Sequence, residues 1–422
     1  MPFSIALSGL NAASKDLEVT GNNIANSSTN GFKSSRTEFA DVFAVSTGGV
    51  SSTAIGSGVR LANVAQEFGQ GNIDFTSSNL DLAINGEGFF VLSDGGSQVY
   101  SRAGAYNIDR NGYVVNSTGQ RLQVFDPIGN SSDTFNTGSL NDLQVSQTEG
   151  APRATSSIGL NMNLDSSDPA IPSGVTPLDP TDATTYNFST SFSVFDSQGV
   201  EHSATTYFQK QANNQWDARL YLNGTDPGDV VQVGGSDTFS FEFDNNGQLI
   251  SNSGTPALNG TEVIFDAKNP GTGAADLNMT MDLADLVQFG GDYTVNSLSQ
   301  DGFAKGKLSG LSISDEGVIS ARFTNGQSNA LGKVALASFP NPTELRQVGD
   351  TNWAETFSSG QPLVGEPGSG SLGAIQSGAL ESSNVDIAAE LIKLITAQRN
   401  FQANSQVIST ADTITQTIIN IR

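Results

Sequence analysis

The sequence predicts a mainly β, nested multi-domain chain with antiparallel β-sandwich or barrel-like domains and an α-helical coiled-coil domain formed by both termini. Three observations predict this fold class. The 422 residues include 46 Gly and 14 Pro but only 15% charged residues, a composition typical of short strands joined by tight turns. Apolar residues recur at heptad spacing near both ends, as in packed helices. Shifts in composition divide the middle of the chain into blocks, and this length suits roughly two to four domains.

The first helix is predicted from an apolar series close to the N-terminus. Its members are spaced alternately by four and three residues: Phe3, Leu7, Leu10, Ser14, Leu17, Gly21 and Ile24. A helix of about 20 residues is marginal alone in water, so this helix needs a partner for its apolar side.

A second helix is predicted near the C-terminus, where two runs share that spacing: Ile387, Leu391, Leu394, Gln398 and Phe401, then Val407, Ala411, Ile414, Ile418 and Ile421. The spacing shifts between the two runs, so we do not predict one unbroken coiled coil. In the preceding "ESSNVDIAAEL", Ser and Asn are the N-cap candidates, and Asp386 and Glu390 suit a first helical turn.

The partner of each terminal helix has two interpretations. Each helix could pack on its own domain, as most amphipathic helices do. We favour packing of the helices with each other or with neighbouring copies, because polar, Gly- and Ser-rich stretches separate both from the β-region. The candidate assembly residues are Phe3, Leu7, Leu10, Leu17, Ile24, Leu391, Leu394, Phe401, Ile408, Ile414 and Ile418.

The middle of the chain carries signals of strands and turns. Alternating segments such as "TTYFQK" and "FSFEF" predict half-buried antiparallel strands, and a single short helix is predicted around Leu283 to Val287. A Ca²⁺ loop at "DNNG" is disfavoured, because the full twelve-residue pattern with its terminal Glu is missing. Four Asp-x-x-Gly segments predict hairpin turns: 109–112, 126–129, 196–199 and 244–247.

Composition shifts near Gly150 and between Gly290 and Ser299 predict a nested arrangement. The predicted parts are a terminal-helix domain (1–25 with 385–422), a connecting segment (26–70 with 372–384), an inner β-domain (71–150 with 300–371) and an inserted outer β-domain (151–299).

Charge and cysteine content exclude several classes of partner. The formal net charge of −24 repels nucleic acid and anionic membrane surfaces, so we expect neither as a partner. Residues 34–380 carry 37 of the 43 acidic residues, whereas both ends are nearly neutral. The chain has no Cys, and we expect neither membrane insertion nor a cleavable secretory signal.

The sequence contains no pattern that supports catalysis. Its single histidine, His202, is expected on the surface or in an edge strand, and His/Cys metal clusters are excluded by count. No phosphate-binding Gly-Lys-Ser/Thr loop occurs. Paired carboxylates for glycoside hydrolysis remain an alternative in so acidic a chain, although turn geometry explains most of the Asp residues. We therefore expect no enzyme activity, cofactor or metal.

Four groups of motifs, spread over nearly the whole chain, carry a family resemblance. They are "NNIANSSTNGFK"; "NLDLAINGEGFFVL" with "YSRAGAYNIDRNGYVVNSTGQRLQ"; "VFDSQGVEHSATTYFQK"; and "GALESSNVDIAAELIKLITAQRNFQANSQVISTAD". In combination they resemble the bacterial flagellar hook proteins of the rod–hook axial family.

The resemblance implies a subunit that stacks helically with many copies into a curved hollow tube, a universal joint that passes torque from rod to filament. It also implies an extracellular position in the flagellum, export through the flagellar type III machinery, and contacts with the distal rod protein, the hook cap protein and the hook–filament junction protein. The nearest alternative is a distal rod subunit, which would lack the insertion 151–299. A less favoured one is a secreted glycan-binding or glycan-cleaving β-protein, which has no need of matched heptad ends.

The polar segment "ANSSTNGFKSS" follows the first helix and leads into the β-region. Asn and Gly permit turns and left-handed backbone there, and an aromatic side chain can anchor in a neighbouring surface. The alternative is an ordinary solvated linker. The candidate junction residues are Asn22, Asn23, Asn26, Asn30, Gly31 and Phe32.

These patterns suggest how assembly would work. Terminal helices with unpartnered apolar sides would be disordered in the free subunit and would order in the tube. Burial of about ten apolar side chains at roughly 1.5–3 kcal/mol each is sufficient to drive polymerisation. We expect stiff helical packing inside and weaker, wetter contacts between acidic β-domains outside.

Overall fold

Two long helices lie at the ends of the chain, and every strand that the structure describes lies between them. The computed structural model describes residues 2–42, 56–129, 134–145, 150–174, 176–256 and 258–420. Helix α1 is Pro2–Ala25 and helix α2 is Ile387–Asn420. The chain is mainly β and its two terminal helices pack together, so the predicted fold class is confirmed.

The described strands fall into three groups along the chain. Those before residue 150 are β1 (Ser35–Asp41), β2 (Val59–Gln66), β3 (Ile73–Phe75), β4 (Leu82–Asn85), β5 (Phe89–Asp94), β6 (Ser97–Ser101), β7 (Asn107–Ile108), β8 (Val114–Val115), β9 (Arg121–Phe125) and β10 (Asn141–Asp142). Those up to residue 300 are β11 (Ser157–Asp165), β12 (Phe188–Phe195), β13 (Glu201–Ala212), β14 (Gln215–Leu222), β15 (Val230–Val231), β16 (Phe239–Glu242), β17 (Glu262–Ile264), β18 (Thr280–Asp282), β19 (Leu286–Phe289) and β20 (Thr294–Gln300). The remainder are β21 (Leu308–Ile313), β22 (Val318–Phe323), β23 (Ser328–Val334), β24 (Leu336–Ser338), β25 (Arg346–Gly349), β26 (Asn352–Ala354), β27 (Leu363–Gly365), β28 (Ala374–Ser377) and β29 (Ala379–Glu381). Short 3₁₀ turns occur at Pro227–Asp229 and Pro342–Glu344.

The chain forms two compact units. The first unit comprises Met1–Gln147, Gly310–Arg322 and Ser328–Arg422. The second unit comprises Thr148–Ser309 and Phe323–Gln327.

The first unit contains both helices and a large sheet. The main path of this sheet runs β21-β22-β23-β9-β5-β6-β26-β25. Its aromatic core includes Phe89, Tyr100 and Trp353, and the Trp353 indole N–H donates to Gln66 Oε1 at 2.6 Å, which satisfies its one polar atom. Three antiparallel pairs lie outside the large sheet: β1 with β2, β3 with β29, and β4 with β28.

The second unit is a sandwich of two five-stranded sheets around one core. One sheet follows β17-β18-β11-β19, with β20 beside β11; the other follows β12-β13-β14-β15, with β16 beside β14. In β11, alternate residues from Ile158 to Leu164 are buried, as expected for a strand with one face on the core. The pairing is antiparallel except that β11 runs parallel to both β18 and β19.

Three of the four predicted Asp-x-x-Gly turns form. The Gly amide donates to the Asp carbonyl at 3.0 Å in 109–112, 196–199 and 244–247. In each, the Asp carboxylate also accepts backbone amides two and four residues ahead, which accounts for Asp at that position. The prediction is wrong at 126–129, where the Asp126 carbonyl accepts the Asn136 amide and the Ile128 amide donates to the Thr134 carbonyl, both at 2.8 Å, so this segment is one arm of a hairpin.

The predicted short helix at Leu283 to Val287 is wrong. Leu283 lies in a turn, and Leu286 begins strand β19, which pairs with Met162 and its neighbours in β11. A short apolar run is ambiguous between helix and strand, and pairing with an adjacent strand decides it here.

The expectation for His202 is also wrong. His202 is buried in β13, which has a strand on each side, and it lies neither at the surface nor at an edge. Its Nε2 lies 3.1 Å from Asp196 Oδ2 and its Nδ1 lies 3.0 Å from Asn223 Oδ1. Burial of the imidazole is possible because both ring nitrogens have partners.

The Asp196 carboxylate is a hydrogen-bonding centre of the second unit. Burial by itself raises the pKa of a carboxyl group, but hydrogen bonds from Thr272, His202 and the amides of Val200 and Gln198 outweigh this and hold the pKa of Asp196 below its usual range. The charged carboxylate therefore stabilises this unit above the ordinary pKa of an aspartate, and its contribution is lost as the pH falls through the depressed pKa.

We expect Asp196→Asn to lower the free energy of unfolding of the second unit at pH 7 by about 1–3 kcal/mol, because it leaves buried donors unsatisfied. The difference from wild type should narrow below about pH 4, where the carboxylate of the unfolded chain becomes protonated. Urea titrations at pH 7 and pH 3, read by hydrogen exchange of peptides from β12 and β13, measure both effects. Asp244→Asn, at a half-buried position in a turn of the same type, is the control and should have a smaller effect. Equal losses from the two variants would contradict this account.

Candidate assembly site at the two chain ends

The two terminal helices pack against each other in antiparallel fashion. Asn23, near the end of α1, places its Nδ2 3.3 Å from Glu390 Oε2 near the start of α2. Gly9 lies against Asn404, where an added Cβ would come within 2.6 Å of the Asn404 Oδ1. The same number of residues separates these contacts along each helix, in opposite directions. Gly9 permits a close approach that a larger residue would prevent.

The buried positions follow heptad spacing on both helices, and most of their side chains are small. On α1 they are Ala6, Ala13, Thr20 and Asn23. On α2 the buried and half-buried series is Glu390, Leu394, Ala397, Phe401, Asn404, Ile408 and Ala411, with alternating steps of four and three. On α1, the buried positions precede those of the predicted apolar series by one residue. On α2, the break in spacing predicted between Phe401 and Val407 does not occur, because Ile408 and not Val407 belongs to the series.

The predicted assembly residues divide into two groups. Those that are half-buried are Leu10, Leu17, Ile24, Leu394, Phe401 and Ile408; those that are exposed are Phe3, Leu7, Leu391 and Ile414. The side chain of Ile418 lies outside the described residues. Ile387, Ile392, Ile395 and Val407 are also exposed and were missing from the assembly list. Pairing within one chain therefore leaves large apolar side chains in solvent on both helices.

Some of the exposed residues line an apolar groove of about 860 Å³ between the start of α1 and the second half of α2. Phe3 forms one wall, and Ala403, Val407 and Ile414 form the other. Phe3 is 51% exposed and Ile414 is 54% exposed, so the ends of the two helices do not cover each other.

Helix α2 begins one residue after an acidic cap. The Asp386 Oδ1 accepts the amides of Ala388 at 2.8 Å and Ala389 at 3.2 Å. The N-cap is therefore Asp386, not Ser or Asn as expected, while Glu390 does lie in the first turn. Aspartate is favoured at this position because it satisfies the free amides and also interacts with the helix dipole.

Hydrogen bonds from asparagines at the end of α1 and just after it hold the following segment in place. Asn23 donates from Nδ2 to the Ser35 carbonyl at 2.8 Å and accepts the Ser35 amide at 2.9 Å. Asn26 Nδ2 donates to the Asn22 carbonyl at 3.0 Å, and Thr29 Oγ1 donates to Asn26 Oδ1 at 3.2 Å. These contacts close the chain back on the end of α1 before β1 begins.

Gly31 occupies a position that only glycine fits. Its φ is +70°, and an added Cβ would lie 2.4 Å from the Ala103 backbone nitrogen. Its amide donates to the Glu381 carbonyl at 2.7 Å, which joins it to the strand before α2. Asn30 and Phe32 line a cleft of about 510 Å³ together with Trp353, and Phe32 is half-buried there.

Three buried charged residues, Lys33, Arg102 and Glu381, form the centre of this junction and are called the charge cluster below. Lys33 Nζ donates to Glu381 Oε1 at 2.5 Å, and Arg102 Nη1 donates to Glu381 Oε2 at 3.0 Å. The Lys33 and Glu381 side chains are completely buried. Burial lowers the pKa of both Lys33 and Arg102 from their ordinary values, and the Glu381 carboxylate offsets this only in part. The backbone completes the site: Gly71 N donates to Glu381 Oε1 at 2.9 Å.

The charge cluster was not predicted from the sequence. Its members lie in three of the quoted motifs, at "NGFK", "YSRAG" and "GALESS". Each of these short stretches contains one charged residue and none of opposite sign, and this is the sequence signal from which a charge cluster could have been predicted. The partner relations were out of reach, because the residues are hundreds of positions apart in sequence.

The described residues offer no candidate for a membrane-spanning helix or for a metal-binding cluster. Neither terminal helix is apolar enough along its described length to cross a membrane. Within the same residues, no group of three or more His, Asp or Glu side chains is arranged to hold a metal ion.

Four family models match this chain, and together they cover most of it. They are described as Flagella basal body rod protein (residues 3–33), Flagellar hook protein FlgE/F/G D1 domain (83–160), Flagellar basal body protein FlaE D2 domain (163–303) and Flagellar basal body rod FlgEFG protein C-terminal (376–421).

Three relatives that match over nearly their whole length are flagellar hook proteins named FlgE. The chain is 38% identical over 429 residues to the flagellar hook protein FlgE of Escherichia coli K12, with 100% of both chains covered. It is 37% identical to FlgE of Salmonella typhimurium, again with 100% of both covered, and 33% identical to FlgE of Borreliella burgdorferi, with 99% of this chain and 98% of the relative covered. The crystal structure of Helicobacter pylori flagellar hook protein FlgE2 matches in fold with a TM-score of 0.54 at 15% identity, over 73% of this chain and 100% of that chain.

We expect Gly31→Ala to destabilise the first unit by more than the roughly 1–2 kcal/mol of a left-handed backbone, because the Cβ also collides with the Ala103 backbone. Gly119→Ala is the matched control: its φ is +86° but no atom lies within 4 Å of the added Cβ. Chemical unfolding of the two variants measures the difference. Equal losses would show that the close approach at Gly31 carries no weight.

Proposed function

We propose that this chain, which belongs to the flagellar hook protein family, is a structural subunit of the bacterial flagellar hook. Copies assemble helically into a curved, hollow tube that passes torque from rod to filament. The role is structural and involves no catalytic step. The observation that carries this proposal is the surplus of exposed apolar residues on the paired terminal helices.

The physical argument starts from the seam between the helices. Small residues bring α1 and α2 close together, and the large residues Leu7, Leu391 and Ile392 remain outside it. Each such side chain gains roughly 1.5–3 kcal/mol on burial. Neighbouring copies that supply the missing cover would make a continuous helical layer, and this layer would hold the tube together. In the free subunit the helix ends, which lack this cover, are expected to be disordered.

The predicted parts of the chain would occupy different positions in the tube. We propose that 1–25 with 385–422 forms the inner layer, 26–70 with 372–384 the connection, 71–150 with 300–371 the inner β-domain, and 151–299 the outer β-domain. Similarity to hook proteins along the whole chain supports this assignment. The candidate assembly and junction residues belong to the first two parts.

The proposed partners follow from a place in the hook. They are further copies of the chain, the distal rod protein, the hook cap protein, the hook–filament junction protein and the flagellar type III export machinery, with the assembled tube outside the cell. The acidic middle of the chain disfavours nucleic acid as a partner.

Two other functions have less support. A distal rod subunit would share the chain ends that the rod-named models match, but residues 163–303 match a D2-domain model and the full-length relatives reported above are named hook proteins. A secreted glycan-binding β-protein would have no use for exposed apolar residues on paired helices.

We expect Ile392→Asp to prevent polymerisation of the purified protein without unfolding it. Ile392 is 66% exposed and lies off the seam between α1 and α2, so the monomer loses little, whereas a charge in a helix–helix contact between copies is costly. Ile128→Asp, at a residue 57% exposed in the β-region of the same unit, is the control. Sedimentation and electron microscopy measure polymer, and circular dichroism measures helix content. Normal tubes from Ile392→Asp would refute the proposed helical layer.

Bending of the tube gives a separate test. We propose that weak contacts between the second units of neighbouring copies slide as the tube bends. Ile264→Ser, at a residue 53% exposed in this unit, should then change tube curvature or stiffness more than it changes the stability of the monomer. Curvature of assembled tubes by electron microscopy and urea midpoints of the monomer provide the comparison. A variant that shifts both equally, or only the urea midpoint, would contradict sliding contacts.

A further inference from the structure

The charge cluster joins parts of the chain that are far apart in sequence. Glu381 lies 348 residues after Lys33 and 279 residues after Arg102. All three belong to the first unit, whose segments lie on both sides of the second unit in the sequence. The first unit is therefore incomplete until the last tenth of the chain is in place.

We propose that folding of the first unit depends on the charge cluster. The first unit reaches its packed state only when Glu381 docks between Lys33 and Arg102, whereas the second unit folds without this step.

The electrostatic basis is that one carboxylate compensates two cations. Without Glu381, Lys33 and Arg102 would be buried side by side with no carboxylate hydrogen-bonded to either, although Glu87 lies near enough to favour the charge of Arg102. Lysine can lose its proton in such a site, but arginine stays charged at any pH a protein survives. Arg102 has one further polar partner, the Gly86 carbonyl at 2.8 Å, and its Nε has no partner among the described residues. The Arg102–Glu381 pair is therefore the indispensable one.

Strand pairing also makes the first unit depend on residues close to the C-terminal helix. β28 is the strand that pairs with β4 in the described sheets, and β29 pairs with β3. The residues of β4 from Leu82 to Ile84 are almost completely buried. Until β28 arrives, this apolar strand lacks its strand partner and keeps the bond from the Leu82 amide to the Gly104 carbonyl at 2.9 Å, so we infer that Glu381 and the adjacent strands dock as one segment.

The second unit has no such dependence. Its main segment, Thr148–Ser309, is continuous, and its core is drawn from strands β11 to β19 and the loops between them. The chain has two Trp residues, one in each unit: Trp353 in the first and Trp216 in the second, both buried. The molecule thus contains one fluorescent reporter for each step.

The test compares full-length Glu381→Gln, Lys33→Met and wild type at a concentration at which no polymer forms. Hydrogen exchange of peptides from β4 and β5 reports the first unit, and peptides from β13 and β14 report the second. We expect Glu381→Gln to reduce protection in the first unit on the order of a hundredfold and to leave the second unchanged, since breaking a buried pair strands its partner. Lys33→Met should have a clearly smaller effect. Emission of Trp353 in a Trp216→Phe background checks the result independently.

A triple variant, Lys33→Met, Arg102→Met and Glu381→Leu, separates charge from packing. It removes the cluster altogether, and buried ion pairs replaced by apolar residues of similar size are often tolerated. We expect it to recover most of the protection that Glu381→Gln loses. The proposal is overturned if Glu381→Gln leaves the first unit as protected as wild type, if both units lose protection equally, or if the triple variant is no better than Glu381→Gln.

Discussion

The Glu381 side chain is the interaction on which the first unit depends. Its two oxygens accept from Lys33, Arg102 and the Gly71 amide, and its own carbonyl accepts the Gly31 amide. One residue thereby fixes the end of the junction after α1, the β-sheet and the strand before α2 in a single place. A buried charge is tolerated in a protein only when it is paired and hydrogen-bonded, so the position of each of these segments constrains the others.

The helices illustrate how close packing and assembly divide the same surface. A seam of Ala6, Gly9 and Ala13 lets α1 approach α2 closely, because small residues do not hold two backbones apart. Large apolar residues in this seam would have been buried by the pairing of α1 with α2 within one chain. Their position beside the seam leaves apolar surface that a single molecule cannot cover, which is what a subunit of a helical polymer requires.

The sequence was sufficient for the fold class and for the presence of two long helices, because heptad spacing and Asp-x-x-Gly turns are local signals. It did not predict which side of α1 is buried, since the prediction gave weight to Leu7 and Leu17, whereas close approach selects Ala6, Ala13 and Thr20. His202 was misjudged from its polarity, because its partner Asp196 could not be assigned from spacing. The charge cluster depends on contacts across hundreds of residues, and only folding brings those residues together.

The antiparallel helix pair has a topological consequence. Phe3 lies in the same groove as Val407 and Ile414, so the first turn of α1 and the last turns of α2 are neighbours. Both ends of the described chain therefore lie at one tip of the helix pair, and because Gly9 lies against Asn404, the last turns of α2 extend beyond Phe3. A peptide link that spans the projecting end of α2, with a new break in the exposed hairpin at 94–97 between β5 and β6, would give a circularly permuted chain with the same contacts in a different order of synthesis.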